Sequence, residues 1–482
     1  MRWFALAAAL LALAPISRSA HAQGNYRSAP TGGRSALMGN TGIALGTDGA
    51  APFLNPATVV HVDSSLALTL NFVSIDLWHV ANYYVPGPVD TATYGNVPTS
   101  GSSDITRVAG NAVPSTFCVF AGLPRIGSAK EGHAGEHKVA ACLGATERQF
   151  FDWVGQGYQA NGPDRATTQA NSVRRGWQRF VVAPSWAVNV TDALALGASL
   201  HGTFTDYNSL VSVGTTTTGG TLPATASVFQ AGASGNDFGL SALIGATLTL
   251  GRVTLGASVQ SPDVSLYGHG NINSYVQFAS TANVSSTTYL GSGSFHADEP
   301  TRFSLGAGYQ WPTGTVELDL QLALAQNDAV RLDTSGTQLQ TPAAASFTKT
   351  LSFATRYEPT VNAGVGGEIY VRPSLSLLGG FGTDLSAVST IGPTTTASSR
   401  LDRLFWSFGF GTHGTGGTLL IGAQVYYGWG STLAPNVYQP VPVLQPTGMS
   451  SFGVLFVLAG ATSLKAIEQA VTDVRRAIVP GK

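Results

Sequence analysis

Two acids spaced two residues apart, Glu317 and Asp319, stand among the aliphatic side chains of Thr315–Leu324. In an extended chain such residues share a face. Gln321 joins them there, and Val316, Leu318, Leu320, Leu322 and Leu324 take the opposite face. Glu368, Arg403 and the neighbours Glu147 and Arg148 are further charges in strand-like segments. Groups of this kind can form a polar clamp for a solute headgroup, or line a wet wall and hold an inner segment by hydrogen bonds. The second reading is preferred, because any wet interior needs polar residues. No catalytic constellation accompanies them. There is no G-x-S-x-G serine, no phosphate-binding glycine loop and no paired-cysteine metal pattern. The nine histidines are scattered; His133 and His137 are four apart, but in the charged, glycine-rich run KEGHAGEHK, which reads as a surface turn. The expectation is a protein that is not an enzyme, with no cofactor and no metal.

The elements that position these residues read as strands. Residues 1–22 have a positive Arg2, an apolar run of about eleven residues and the small-x-small end Ala20-His21-Ala22. That is a signal peptide cut after Ala22, and its apolar run is short of the roughly twenty residues a spanning helix needs. Charged residues are only 11% and glycines number 58, against about 25% charge in soluble domains. Mean hydropathy is +0.14. No later apolar run approaches the ~18 residues that mark a spanning helix. Low charge without such runs is what a membrane sheet gives, with lipid-facing residues alternating with small or polar ones. Net charge is −1 with no basic block, so nucleic acid is not an expected partner.

Alternation marks about fourteen strands. They lie near 64–80, 111–122, 136–150, 177–190, 193–212, 236–250, 252–267, 300–311, 314–326, 359–371, 373–385, 402–413, 416–430 and 450–464. Tight turns such as Val190-Thr191-Asp192, Gly251, Pro312-Thr313, Arg372-Pro373 and Gly414-Thr415 alternate with long polar connections. The long ones are placed at 81–110, 151–176, 213–235, 268–299, 327–358 and 431–449, with a shorter one at 386–401. Tight turns on the periplasmic side and long loops outside are the outer-membrane pattern; the turn at 123–135 is longer than the rule. Trp186, Trp311, Trp406, Tyr427 and Trp429 fall near strand ends, as interfacial girdles do. Cys118 and Cys142 fall on consecutive strands, which leaves a cross-strand disulfide and two free thiols both open. After the last strand, Leu464, Ile467, Val471, Val474 and Ile478 recur at helical spacing, so a short amphipathic helix is expected in a periplasmic tail, 466–482.

The expected fold is therefore all-β: a transmembrane antiparallel barrel over 61–465 with an N-terminal plug over 23–60. The plug's distinctive stretch is GNTGIALGTDGAAPFLNPA, Gly39 to Ala57. Gly39 and Gly42 allow tight backbone turns, and Pro56 holds Asn55 extended. Inward faces of Gly, Ser, Thr, Ala and Gln suit an apolar or amphipathic solute better than ions.

The chain resembles the FadL family of outer-membrane transporters of hydrophobic compounds. Gly39–Ala57 is similar to that family's N-terminal hatch, a Gly/Ala-rich run, an acid (here Asp48) and then Asn55-Pro56-Ala57; Thr47 stands where a second Asp is common. VTLGASVQSP (253–262) with Tyr267-Gly268 resembles the mid-barrel strand, and Pro300–Tyr309 followed by TVELDLQLA resembles the next hairpin. Pro184–Gly197, Thr360–Arg372 and Arg403–Tyr427 match further hairpins in order. The resemblance implies fourteen strands, a plug and passive uptake of long-chain fatty acids or aromatic hydrocarbons. It places a capture groove in the loops 213–235 and 268–299, with Leu222, Val228, Phe229, Tyr275, Val276, Phe278, Tyr289, Leu290 and Phe295 available there. It also places a lateral opening in the wall near Gly144. The expected partners are a hydrophobic solute and outer-membrane lipid, with the chain a monomer. Two features depart from the family: the last strand is not the chain end, and no basic cluster in the loops would grip a carboxylate. The rival reading is a FadL-like barrel that serves as a scaffold and binds a periplasmic partner through its tail. A barrel phospholipase would need a Ser/His pair that the sequence does not place.

Overall fold

A computed structural model describes residues 24–26, 28–81, 105–123, 133–160, 165–221, 223–342, 345–414, 416–436 and 443–469. Among them, no helix is long and apolar enough to cross a membrane. The chain is instead almost entirely strand. The first six are β1 (Ser65–Val80), β2 (Ile105–Gly122), β3 (His137–Ala160), β4 (Arg165–Asn189), β5 (Leu194–Gly219) and β6 (Thr225–Leu250). Four interrupted strands follow: β7 (Val253–Gln260) with β8 (Val264–Ser280), β9 (Val284–Ala297) with β10 (Arg302–Trp311), β11 (Gly314–Ala323) with β12 (Gln326–Thr341), and β13 (Ala345–Tyr357) with β14 (Thr360–Arg372). The last four are β15 (Leu375–Asp384), β16 (Ser399–Gly414), β17 (Gly417–Asn436) and β18 (Val443–Ser463).

With each interrupted pair counted as one strand, this is a closed antiparallel barrel of fourteen strands, sealed where Ser65 of β1 meets Ser463 of β18. The strand number is the one read from the sequence. The strands' outer ends are not. The connections expected at 151–176, 213–235, 268–299 and 327–358 are largely strand, so β5 and β6 each run 26 residues and pair from Leu194↔Leu248 to Thr217↔Thr225. The cause is composition. Above the membrane both faces of the wall meet polar surroundings, so these stretches need no aliphatic alternation. β-Branched residues such as Thr215–Thr218 still favour an extended backbone.

The two faces of the wall explain the fold. On β11, Leu318 is 51% exposed on the outside, while Glu317 and Asp319 are fully buried on the inside. Leu305 on β10, Ile244 on β6, Val365 on β14 and Phe408 on β16 also stand outward in the open. A protein that buries its carboxylates and exposes its aliphatics is inside out for water, and the arrangement is stable only against lipid. Tyr309 stacks on Trp311 beside one tight turn, and Tyr427 on Trp429 toward the other rim.

Residues 24–26 and 28–60 lie inside the barrel. Two short helices, α1 (Gly33–Leu37) and α2 (Ala51–Leu54), and a 3-10 turn (Pro56–His61) lead into β1. Helix continues for residues 464–469 after β18, and Leu464 donates its N–H to Ser64 O. The rest of the expected tail helix lies outside the described residues, as do the expected signal peptide and most of the connection at 81–110.

Candidate functional site

The inner segment is held by polar side chains on the neighbouring strands β11, β14, β16 and β17. Gly42 and Ile43 donate their N–H groups to one oxygen of Asp319 (2.8 and 3.1 Å), and Ala44 and Leu45 donate theirs to one oxygen of Glu317 (2.6 and 3.1 Å). Four consecutive N–H groups thus point at two carboxylates, a concave backbone anion site. On the adjoining strand, Glu368 of β14 binds Arg34 at 2.8 Å, and Arg34 also donates to Thr315 Oγ1 and Leu45 O. Sequence reasoning missed Arg34, although it is the one charged side chain in the small-residue run Gly32–Leu45. Two and three strands beyond β14, Gly39 donates to Ser407 Oγ on β16, and Gln424 on β17 reaches Asn40. Gly39 has φ +70, and a Cβ there would meet Val365 O at 2.6 Å, so only glycine fits.

Asn55, Pro56 and Ala57 close the segment's lower half. Asn55 is extended (φ −154, ψ 103), as a residue before proline should be. Its amide donates to Ile43 O and Ala246 O, and its oxygen caps the next turn at Ala57 N. Asp48 accepts from Ser35 N and Ala50 N, tying α1 to the start of α2. At the rim, Lys138 donates to Val62 O. Partial desolvation, and then the Lys138 charge, hold the His61 imidazole below its usual pKa.

The wall has a short ladder beside this segment. The β2–β3 ladder runs only from Thr116↔Gly144 to Gly122↔Lys138, while β3–β4 continues to Ala160↔Ala166. From Ala145 upward β3 has no pairing with β2 among the described residues. Two features end the ladder: a bulge at Thr146, and Pro114, which has no N–H to offer. The inner segment covers the seam instead. Arg148 N donates to Ser28 Oγ (3.1 Å), and the Phe53 ring lies against Gly144, where a Cβ would come within 2.9 Å of it. A cavity of about 80 Å³ sits above, lined by Ser28, Pro30, Trp78, Arg148, Phe150, Phe405 and Tyr426. It has room for several waters or the end of an apolar solute. Arg148 Nε and Nη2 are buried without a hydrogen-bond partner.

Cys118 and Cys142 form a disulfide across the ladder, one pair of facing residues below its last lumen-facing pair, Thr116 and Gly144. It packs with Ala51, Phe53, Ala57 and Val59 of the inner segment. Exchange of both cysteines for alanine should raise hydrogen exchange along 116–122 and 138–144 about tenfold or more, with β4–β5 unchanged. Equal protection in both forms would show that the ladder needs no staple.

The residues expected in a capture groove do not gather in loops. Val228 and Phe229 are half-buried on β6, and Tyr275, Val276 and Phe278 half-buried on β8. Leu290 is exposed on β9, and Leu222 lies outside the described residues. Tyr289 and Phe295 are buried in the lumen with Trp177, Tyr207 and Tyr357. The correction follows from the strand lengths: residues thought to tip a loop lie on a paired wall. Beneath this aromatic cluster, Arg179 binds Glu299 at 2.6 Å and Glu147 at 3.4 Å, and Trp177 Nε1 donates to Glu147. Arg403 faces the lumen over the Tyr426 ring. His133 pairs with Asp192 at 3.6 Å and His137 stacks on Trp186, so the two do not converge on one point.

The closed fourteen-stranded barrel is a fold shared with solved FadL-like channels. The Pseudomonas putida toluene transporter TodX is 14% identical, with a TM-score of 0.52, over 93% of this chain and 100% of that one. A Pseudomonas aeruginosa FadL homologue is 15% identical, with a TM-score of 0.51, over 93% and 100%. The CymD monoaromatic hydrocarbon channel is 13% identical, with a TM-score of 0.50, over 91% and 99%. No protein-family model matches the sequence, and no curated protein matches it.

Proposed function

We propose that this chain is an outer-membrane channel for the passive uptake of hydrophobic molecules, with residues 24–64 as its plug. The observation that carries the reading is the seam. In a barrel with a lipid-facing apolar coat, the short β2–β3 ladder is a place where the inner segment, not the neighbouring strand, covers the wall. A solute that reaches the cavity beside Arg148 and Phe150 leaves sideways into the bilayer once Phe53 moves off Gly144. For an apolar molecule that exit avoids water altogether, which is the physical gain over a straight aqueous pore. The toluene and monoaromatic-hydrocarbon channels of the same fold support the solute class.

Lipid mass spectrometry of protein purified in detergent tests the solute directly, with uptake of radiolabelled toluene and oleate into cells as the functional arm. A retained apolar molecule, and uptake that falls about tenfold when a disulfide bridges the open edge of β3 to β2, are the expected results. Uptake that persists with the seam bridged would sink the lateral route, and uptake no faster than in cells lacking the protein would sink the channel.

A further inference from the structure

The wall has a second interruption, between β13 and β16. There the connection 385–398 turns into the lumen instead of extending the sheet. Tyr357 forms an isolated bridge to Val388, after which the loop crosses the aromatic cluster. Tyr207 donates its hydroxyl to Thr396 O (3.1 Å), Ala397 N donates to Thr355 Oγ1 (2.8 Å), and Arg175 donates to Ser398 O (3.1 Å). Thr396 and Ala397 are buried. The loop is a cover over Trp177, Tyr207 and Phe295.

Its base is tied by the far end of the inner segment. Asn25, fully buried, donates from one amide nitrogen to Asp384 O (2.8 Å) and Leu401 O (2.9 Å). Those carbonyls belong to the last residue of β15 and the third of β16, on either side of the loop. Ala387 N donates to Gly24 O at 3.0 Å. Gly24 has φ +77, and a Cβ there would stand 3.3 Å from the nitrogens of Ala387 and Val388, so the close approach needs glycine. Tyr26 packs edge-on against Tyr357, beside the same bridge.

We propose that Gly24 and Asn25 form a latch that couples loop 385–398, an outer lid, to the inner segment, so that lid and plug release together. One side-chain amide spans both stems of the loop, and a chain anchored at Ser28, Gly32, Arg34 and Gly39 connects it to the Glu317–Asp319 site. Coupling of this kind is reciprocal: release of the lid shifts the plug's release equilibrium by the same factor as release of the plug shifts the lid's, and if the two release as one unit, a change at either end loosens both alike. The proposal goes beyond solute uptake, and its test reads the coupling whether or not a solute passes.

Hydrogen exchange by mass spectrometry on the full chain in detergent micelles decides it. Asn25→Ala is expected to speed exchange in 385–398 and in 39–46 by a shared factor, between about 5 and 150, with β4 and β5 unchanged. Glu317→Gln with Asp319→Asn should speed exchange in 42–45 and, by a similar factor, in 385–389. Loosening confined to the mutated end in either protein overturns the latch. Should Asn25→Ala fail to fold, the carboxylate variant decides alone.

Discussion

Liposomes carrying the Glu317→Ala/Asp319→Ala protein are expected to swell in small sugars at least about tenfold faster than liposomes with the unaltered protein. The two carboxylates receive four consecutive N–H groups, Gly42 to Leu45. Hydrogen bonds to a charged acceptor contribute roughly 1.5–3 kcal/mol each, and a buried donor left without one costs about 1–3 kcal/mol. Water entering the vacated lumen recovers part of that. Even a net loss of about 3 kcal/mol raises the displaced population roughly a hundredfold. The remaining ties, Arg34 to Glu368 and Gly39 to Ser407, keep the segment near the wall, so the leak is expected to be intermittent. Glu317→Gln/Asp319→Asn retains an acceptor oxygen at each place and should leak at an intermediate rate. A folded barrel, judged by its heat-dependent gel mobility, that swells no faster would show that Gly42–Leu45 do not close the lumen.

The sequence carried the barrel plainly, because lipid imposes a strict rule on each strand where it crosses. β11 and β7 announce themselves by alternation, and the tight turns at Gly251 and Pro312-Thr313 fix the hairpins β6–β7 and β10–β11. The outer halves of β5, β6, β8 and β12 were hidden because no lipid constrains them, and Thr-, Ser- and Gly-rich strand reads like loop. The lumen charges at 317, 319 and 368 were visible by period. Their partners were not: a backbone N–H carries no sequence signal, and Arg34 lies 334 positions from Glu368. The same limit hid Asn25, whose two acceptors are main-chain carbonyls 359 and 376 positions away. The lateral opening placed near Gly144 rests on the resemblance alone. The short β2–β3 ladder, with the bulge at Thr146 and the missing donor at Pro114, is visible only in the register.

Arg179→Met is expected to lower the barrel's unfolding free energy by about 3–5 kcal/mol, the usual cost of removing one partner from a buried ion pair. Arg179, Glu147 and Glu299 are all buried, and Arg302 supplies the second cation, also binding Glu299 at 2.8 Å. Two cations and two carboxyl groups thus meet in one buried cluster. Without Arg179, Arg302 still serves Glu299, but Glu147 retains only Trp177 Nε1 as a hydrogen-bond donor among these side chains. Loss of Arg179 also frees Thr205 Oγ1 and Ala297 O, which it bridges between β5 and the end of β9. The damage should therefore reach the aromatic cluster of Trp177, Tyr207 and Phe295. Adding Glu147→Gln to Arg179→Met removes the stranded charge while the Glu299–Arg302 pair stays whole, so the double variant should recover more than half of the loss. Urea titration of protein refolded into lipid vesicles measures both. A double variant no more stable than the single would mean that packing around the guanidinium, and not charge balance, holds this part of the lumen together.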